Sequence, residues 1–288
     1  MKINWYPGHM TKTKRMIAEC IKDIDIVVEL VDARIPLASK NPDIENLTNQ
    51  KPKLLILNKS DLASPAENKR WVEYYRGKGY FVIQNNSLKM NDDAFYSAVR
   101  ELYREKAERN AERGIKNKMI RIMILGIPNV GKSTLINSLS GEKRAKTEDR
   151  PGVTRGKQWI TLKNNIALLD MPGILWPKLE NQHAAANLAI TGAIKDTVLD
   201  IEEIALKLLD ILTKNYKNDL MARYKLEEPL PEDLYELLKL IGRKRGFVIS
   251  GGEINTERTA IILTDEFRAG KIGRITLEKA EIVEKQND

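Results

Sequence analysis

Short apolar runs rich in β-branched residues recur along the first part of the chain. The clearest are IDIVVELVD at 24–32, KLLILNK at 53–59, YFVIQ at 80–84 and MIRIMILG at 119–126. Segments with helical patterning separate these runs around 64–78 and 92–113. Because continuous apolar strands that alternate with helices are typical of parallel sheets, the pattern predicts a doubly wound, mostly parallel α/β fold.

Two further strands are predicted at QWITL (158–162) and NIALLD (165–170), separated by the turn-prone Lys163 and Asn164. We expect them to form an antiparallel hairpin at one edge of the sheet. After Pro177 only helix-like segments follow, at 181–195, 200–215, 231–242 and 255–269. The sequence therefore predicts an α/β domain over 1–178 and a smaller all-α domain over 179–288, a division that suits a chain of 288 residues.

Composition narrows the class of protein. Hydrophobic residues make up 42% of the chain and charged residues 31%, the balance of a folded water-soluble protein. The sequence has no apolar run that could cross a bilayer, and its start lacks the apolar block of an export signal, so we expect a cytoplasmic protein. With the single Cys20, an internal disulfide and a cysteine-rich zinc module are excluded.

The net charge of +8 is unevenly distributed. Residues 1–178 contain 32 basic and 20 acidic side chains, whereas residues 179–288 contain 16 and 20. Because basic chains attract polyanions, RNA is a plausible partner. The alternating acids and bases of RELYREKAERNAER (100–113) are interpreted as a solvated helix face.

The segment GIPNVGKS (126–133) matches the phosphate-binding pattern G-x-x-x-x-G-K-[ST], with a predicted strand before it and a helix after it. In such loops backbone N–H groups surround phosphate oxygens. Lys132 would reach the β and γ phosphates, and the Ser133 hydroxyl would bind Mg²⁺. The nucleotide-binding residues predicted here are Asn129, Val130, Gly131, Lys132, Ser133 and Thr134.

The segment NKSD (58–61) indicates which base is bound. It follows the strand KLLIL, at the end where open α/β sheets bind ligands. The Asp61 carboxylate can accept hydrogen bonds from N1–H and the 2-amino group of guanine, neither of which adenine offers, so the motif favours GTP. Asn58 and the stem of Lys59 would add contacts to the base, and Ser87 and Leu88 could close over its other side.

The segment DMPG (170–173) ends the last predicted strand. Asp170 would hold Mg²⁺ through its water shell, and the Gly173 N–H would contact the γ phosphate, so this loop can sense whether that phosphate is present. Within RPGVTRG (150–156), Thr154 is placed to complete the Mg²⁺ site. These features predict a conformational switch.

Together these motifs resemble those of Ras-like GTPases, but NKSD precedes the phosphate loop, as in circularly permuted members. WYPGHMTKTKR (5–15), DARIP (32–36), GIPNVGKSTLIN (126–137), PGVT (151–154) and the helical tail resemble the bacterial ribosome biogenesis GTPase A family over nearly the whole chain. The resemblance implies a GTPase that acts late in assembly of the large ribosomal subunit and binds its rRNA through the helical domain. We expect a monomer.

The resemblance also bears on catalysis. Ile174 stands where Ras-type enzymes place a water-orienting Gln. The family implicates the residue that matches His9, whose imidazole could bond a water; a helix-start or surface role is the alternative. Lys132, which would reach the phosphates, and Thr154, which would complete the Mg²⁺ site, are the other predicted catalytic residues. Similar GTPases hold K⁺ with an Asn carbonyl, which Asn129 could supply.

Three functions stay open on these grounds. The first is a GTPase activated by the ribosomal particle, and the second is a permuted GTPase that acts on another RNA or on a protein complex. The third is an RNA-binding scaffold that holds GTP with negligible catalysis. Stimulation of hydrolysis by a partner would distinguish them.

Overall fold

The computed structural model describes residues 9–48, 50–86, 92–141, 158–175, 182–194, 196 and 200–281. They form two compact units. The sheet unit contains the described residues up to 175 together with 278–281, and the helical unit contains those from 182 to 277.

The sheet unit is built on one sheet with the strand order β3-β2-β1-β4-β6-β5. All neighbouring strands are parallel except β5 and β6, which are antiparallel. The predicted fold class is therefore confirmed. The strands are β1 (Ile26–Asp32), β2 (Lys53–Asn58), β3 (Phe81–Gln84), β4 (Ile120–Gly126), β5 (Gln158–Leu162) and β6 (Ile166–Asp170).

The central strand β1 is buried in all seven of its residues. Val28 pairs with Leu54 on β2 and with Ile124 on β4, so branched apolar side chains meet on both flanks. This explains why the strand reads as a mostly apolar run, broken by Glu29, rather than as an alternating pattern.

The chain reverses its direction across the sheet next to β1. From β1 it proceeds through β2 to β3 at one edge, and β4 then lies on the other side of β1. The loops that follow β1 and β4 therefore leave neighbouring strands and diverge. In open α/β sheets this reversal creates a ligand-binding crevice at the carboxyl ends of the strands.

Five α-helices belong to the described part of the sheet unit. The helix over Pro65–Gly77 begins where sequence chemistry predicts, because the Ser64 side chain accepts from the Glu67 N–H and Pro65 occupies the first helical position. The helix over Pro42–Thr48 was not predicted, since seven residues are too few to show a helical period. The five are α1 (His9–Cys20), α2 (Pro42–Thr48), α3 (Pro65–Gly77), α4 (Asp92–Glu112) and α5 (Lys132–Ser140).

The predicted edge hairpin is confirmed. Leu162 of β5 pairs with Ile166 of β6, and the connection contains Asn164 and Asn165 at φ of +58° and +57°. Asparagine adopts this left-handed conformation more readily than most residues, which explains the sharp turn.

The helical unit is all-α apart from one isolated β-bridge in its described residues. Asp200, Asp233 and Asn255 cap three of its helices through their side chains. The helix over Lys217–Tyr224 was not predicted. The helices are α6 (Gln182–Ile190), α7 (Ile201–Asn215), α8 (Lys217–Tyr224), α9 (Leu234–Lys244) and α10 (Thr256–Arg268).

The structure differs from the predicted division at the end of the chain, where residues 278–281 contact the sheet unit. The Glu278 carboxylate accepts from the N–H groups of Leu37 at 2.7 Å and Ala38 at 3.1 Å, and the Trp71 indole donates to the Glu278 carbonyl at 3.0 Å. These residues were expected in the helical domain. Ala280 is also buried in the core beside Trp71, and its N–H donates to Glu67 Oε2 at 3.3 Å. Periodicity could not reveal the difference, because it rests on a few contacts of single residues.

Candidate nucleotide-binding site

The phosphate loop connects β4 to α5 at the carboxyl end of the sheet, next to the reversal of strand order. Gly131, at φ of +101°, directly precedes Lys132, the first residue of α5. At Gly126 a Cβ atom would come within 2.8 Å of the Leu30 carbonyl oxygen, so no side chain fits there. The two glycines therefore let the loop turn tightly and direct the N–H groups that begin α5 toward one point, which suits phosphate.

Lys132 is buried beneath this loop. Its Nζ lies 3.5 Å from the Gly126 carbonyl oxygen and 3.4 Å from that of Ile127. Burial lowers the pKa of Lys132, an effect that the nearby Asp170 opposes. Weak bonds to two carbonyls leave this desolvated ammonium poorly compensated, so an anionic phosphate would be a strong partner. Ser133 and Thr134 follow it, both half-buried at the start of α5.

The DMPG loop lies against the phosphate loop. A Cβ atom at Gly173 would come within 2.9 Å of the Pro128 nitrogen and 3.2 Å of Lys132 Nζ. The Ile174 N–H donates to the Gly126 carbonyl at 3.2 Å. Ile174 is itself completely buried, so its side chain does not reach a water beside the phosphates. Ile174, at the position where Ras-type enzymes have a Gln, is thus part of the hydrophobic core.

Asp170 ends β6 close to Lys132. Burial raises the pKa of the Asp170 carboxyl to about 6, although Lys132 opposes the shift. Its buried Oδ1 has no hydrogen-bond partner among the described residues. A buried acceptor without a donor is costly, and a hydrated divalent cation would satisfy it. The residues at this point therefore fit Mg²⁺. No group of three His, Cys, Asp or Glu side chains that could hold a metal ion occurs among the described residues.

The guanine motif is joined to the phosphate loop by two side chains. Asn58 Nδ2 donates to the Val130 carbonyl at 2.7 Å, and Lys59 Nζ donates to the Asn129 carbonyl at 2.6 Å. The backbone of Lys59 adopts the left-handed conformation, with a φ of +57°. Asp61 is half-buried in the turn that follows. The structure thus brings together two motifs that lie about seventy residues apart in the chain.

Asn85 supports this arrangement, and sequence reasoning missed it. It follows β3, and its Nδ2 donates to Asn58 Oδ1 at 2.8 Å while Asn58 donates onward to the phosphate loop. The position directly after an apolar strand was the available signal, because residues there lie at the ligand-binding edge.

A buried ion pair underlies the guanine motif. Arg34 Nη2 lies 2.8 Å from Asp32 Oδ2, and Lys59 Nζ lies 3.3 Å from the same oxygen. Burial disfavours the charged form of Asp32, but Arg34 and Lys59 outweigh it and hold the pKa of that carboxyl well below its usual range. In the sequence, DARIP (32–36) is only a mark of family resemblance. The structure shows that its Asp32 helps to hold Lys59.

Asn41 connects α2 to the DMPG loop, and sequence reasoning missed it too. Its Nδ2 donates to the Ile174 carbonyl at 3.2 Å, and its Oδ1 accepts from the Asp43 N–H at 2.9 Å. The same side chain therefore caps a short helix and holds the backbone after Gly173.

Some predicted site residues lie outside the described part of the chain. These are Ser87, Leu88, Thr154 and the side chain of His9, whose backbone begins α1. Their assigned roles stay predictions.

Among the described residues, no helix is long and apolar enough to span a membrane.

Comparisons with known proteins agree with this geometry. A family model described as "50S ribosome-binding GTPase" matches residues 121–238. Ribosome biogenesis GTPase A of Bacillus cereus is 45% identical over 98% of this chain and 95% of that protein. The GDP-bound structure of TM YlqF has a TM-score of 0.68 at 26% identity, over 93% of this chain and 100% of that one. The GNP-bound crystal structure of YlqF from T. maritima has a TM-score of 0.66 at 26% identity, over 94% and 99%.

Proposed function

Because this chain belongs to the ribosome biogenesis GTPase A family, we propose that it hydrolyses GTP as a switch that the large ribosomal subunit activates late in its assembly. The chain is a GTPase with a circularly permuted fold. One observation carries the nucleotide part of the proposal. Asn58 and Lys59 bond directly to the carbonyls of Val130 and Asn129, so the base-selecting motif and the phosphate loop form one site.

We assign the site residues the roles that their motifs predict. Lys132 neutralises the β and γ phosphates, and Asp61 selects guanine by accepting two hydrogen bonds. Ser133, Thr154 and Asp170 would hold Mg²⁺, Asp170 through the ion's water shell. When bound, the ion neutralises charge that develops on the phosphate oxygens. Gly173 contacts the γ phosphate through its N–H, which makes the DMPG loop sensitive to hydrolysis.

The attacking water needs a partner other than residue 174, since Ile174 is buried. We assign this role to His9, supported by the family resemblance of its segment. A neutral imidazole can accept a hydrogen bond from the water at physiological pH. Ser87 and Leu88 complete the pocket for the base.

A potassium ion beside Asn129 is part of the proposal. The backbone carbonyl of this residue accepts from Lys59 Nζ. A second cation at the same oxygen is unfavourable, so we assign the side-chain amide oxygen to K⁺. The ion would add positive charge where negative charge develops during hydrolysis.

The proposed partners are the large ribosomal subunit and its rRNA. The protein would act as a monomer in the cytoplasm. The helical unit is assigned rRNA contacts on the basis of the family. Its candidate segments are GRKRG (242–246) and RAGKIGR (268–274). A third candidate, at 143–157, belongs to the switch segment of the GTPase domain and lies outside the described residues.

Steady-state GTP hydrolysis with and without purified large subunits, at fixed K⁺ and Mg²⁺, tests the proposal. We expect a large acceleration that depends on the subunit and is lost in His9→Ala. Absence of acceleration while GTP still binds would reject the ribosome as activator, and the wild-type rate in His9→Ala with subunits present would remove the role of His9.

A further inference from the structure

A groove lies at the amino ends of β1, β2 and β3. The nucleotide-binding site lies at the opposite, carboxyl ends of the strands. The groove consists of two adjoining cavities of about 770 Å³ and about 390 Å³ that share Lys51, Pro52 and Leu102 in their walls. The carboxyl-terminal parts of α3 and α4 form its sides. We call this surface the amino-edge groove.

Five cations of the amino-edge groove lack a carboxylate partner among the described residues. Four of them are exposed. The fifth, Lys51, donates to the Ile24 carbonyl at 2.7 Å, which leaves its charge uncompensated. By contrast, two other lysines of the wall pair with Glu45 and Asp25. The five cations are Lys51, Arg76, Lys78, Arg109 and Arg113.

The contribution of α4 is a single face. Leu102, Lys106 and Arg109 of that helix and Arg113 directly after it line the groove, at spacings of four, three and four residues. At about 1.5 Å per residue this row is about 16 Å long. The sequence pattern of 100–113 indicates a solvated face. In the structure three of its bases, Lys106, Arg109 and Arg113, line the groove together with one acid, Glu105. The acids Glu101, Glu108 and Glu112 lie outside the wall.

The groove also presents an aromatic ring. Phe81 begins the edge strand β3, lines the larger cavity and is 37% exposed. A ring beside unpaired cations offers a surface on which a nucleic-acid base can stack while the cations hold phosphates. An acidic peptide would use the charges but would gain little from the ring.

We propose that the amino-edge groove binds the phosphate backbone of single-stranded or irregular RNA, with one base stacked on Phe81. This goes beyond the proposed function, whose candidate rRNA contacts lie in the helical unit and at 143–157. The groove and the nucleotide site lie at opposite ends of the same parallel strands, so RNA can bind here without touching the phosphate loop.

The test compares two double variants of the full chain by fluorescence anisotropy with a labelled 20-nucleotide single-stranded RNA. Arg76→Ala/Arg109→Ala removes one groove cation from α3 and one from α4. Lys69→Ala/Arg100→Ala is the matched control, since it removes exposed cations from the same two helices outside the groove. At 100 mM KCl we expect about 25-fold weaker binding for the groove variant, with a salt slope smaller by about 1.4, and less than a twofold change for the control.

Two further variants sharpen the result. Arg76→Lys/Arg109→Lys keeps both charges and should bind nearly as the natural protein does, while Phe81→Leu should weaken binding about tenfold. Equal weakening by the groove and control variants would overturn the proposal. So would binding of a 20-residue oligoglutamate as tight as that of the RNA, which would indicate a protein partner.

GTP affinity is measured on every variant and should stay unchanged. Loss of RNA binding with normal GTP affinity supports the groove, whether or not large subunits stimulate hydrolysis. Failure of the ribosome proposal and failure of the groove proposal are therefore distinguishable.

Discussion

The cations at the two ends of the parallel strands differ in their burial and in their bonding partners. At the carboxyl end, Lys132 is buried and Lys59 is bonded to a loop carbonyl and to Asp32. At the amino end, Arg76 and Arg109 are exposed and have no carboxylate partner among the described residues. One sheet thus positions fixed charges for a small ligand at one end and mobile charges at the other.

Because of this difference, the two ends of the strands can recognise different kinds of ligand. A buried, bonded cation is held in one position and acts in a low dielectric, so it can select one atom of one ligand. An exposed cation keeps its freedom and is screened by salt, so several must act together on a polyanion. Substitutions at the two ends should therefore differ in size and in salt dependence.

The largest effect is expected from Asp32→Ala, which breaks the buried ion pair at the carboxyl end. Arg34, 1% exposed, would lose its neutralising partner. We expect the free energy of unfolding to fall by about 3–5 kcal/mol, measured by urea denaturation. Asp23→Ala is the control, because its carboxylate is 69% exposed and lies 4.0 Å from Arg121. It should change stability by less than about 0.5 kcal/mol.

A second substitution shows whether the buried charge is the cause. Arg34→Met in the Asp32→Ala background removes the uncompensated cation and should restore part of the stability. If stability does not recover, Asp32 acts instead through the hydrogen bond that its Oδ1 accepts from the Arg34 backbone N–H.

Lys132→Ala should reduce single-turnover hydrolysis of GTP by about 100- to 1000-fold, since it removes the buried cation aimed at the phosphates. Lys118→Ala, an exposed residue before β4, is the control and should leave the rate unchanged. A reduction below tenfold would mean that another group supplies the charge.

The sequence predicted much of this end of the sheet, because each motif follows a strong apolar strand. The strands β2 and β6 end at Asn58 and Asp170, and Lys132 begins the helix after β4. All three residues therefore lie at the carboxyl end of the sheet. Asn41 and Asn85 could not be predicted, since their roles consist of single hydrogen bonds to Ile174 and Asn58 from distant parts of the chain. The pattern of apolar residues identifies strands, but it does not show which side-chain amide bonds to which carbonyl oxygen.

The amino end was less predictable for a related reason. Arg76 and Arg109 lie on different helices, and only the packed sheet places both on one groove. The row of bases on α4 looks the same in sequence whether it faces solvent or a groove.

Between the two ends, Glu29 in the middle of β1 should make stability depend on pH. Burial raises the pKa of the Glu29 carboxyl to about 7, although Lys40 and the Asn41 N–H oppose the shift, with Glu45 and Lys53 also nearby. The folded state thus binds a proton that the unfolded state has already released. Stability should fall by about 3 kcal/mol as pH rises from about 4.5 to about 7, and level off above.

Urea denaturation of Glu29→Gln against the natural chain isolates this contribution. The difference between the two should grow across that pH window, because Gln cannot ionise. Glu73→Gln, on the exposed face of α3, should reproduce the natural profile. A constant difference between pH 5 and pH 8 would show that Glu29 is already charged when buried.

The smallest effect is expected from Lys78→Ala, a single exposed cation of the amino-edge groove. Its Nζ lies 5.7 Å from the Tyr74 ring centre and has no carboxylate partner among the described residues. Because this change removes one charge that would hold a phosphate, it should weaken binding of the 20-nucleotide RNA about fivefold at 100 mM KCl, an effect that vanishes near 1 M. The reduced hydrolysis of Lys132→Ala should instead persist at both salt concentrations, because that cation is buried and poorly screened. If the effect of Lys78→Ala also survived high salt, this end of the sheet would be a site of fixed geometry as well, and the contrast between the two ends would fail.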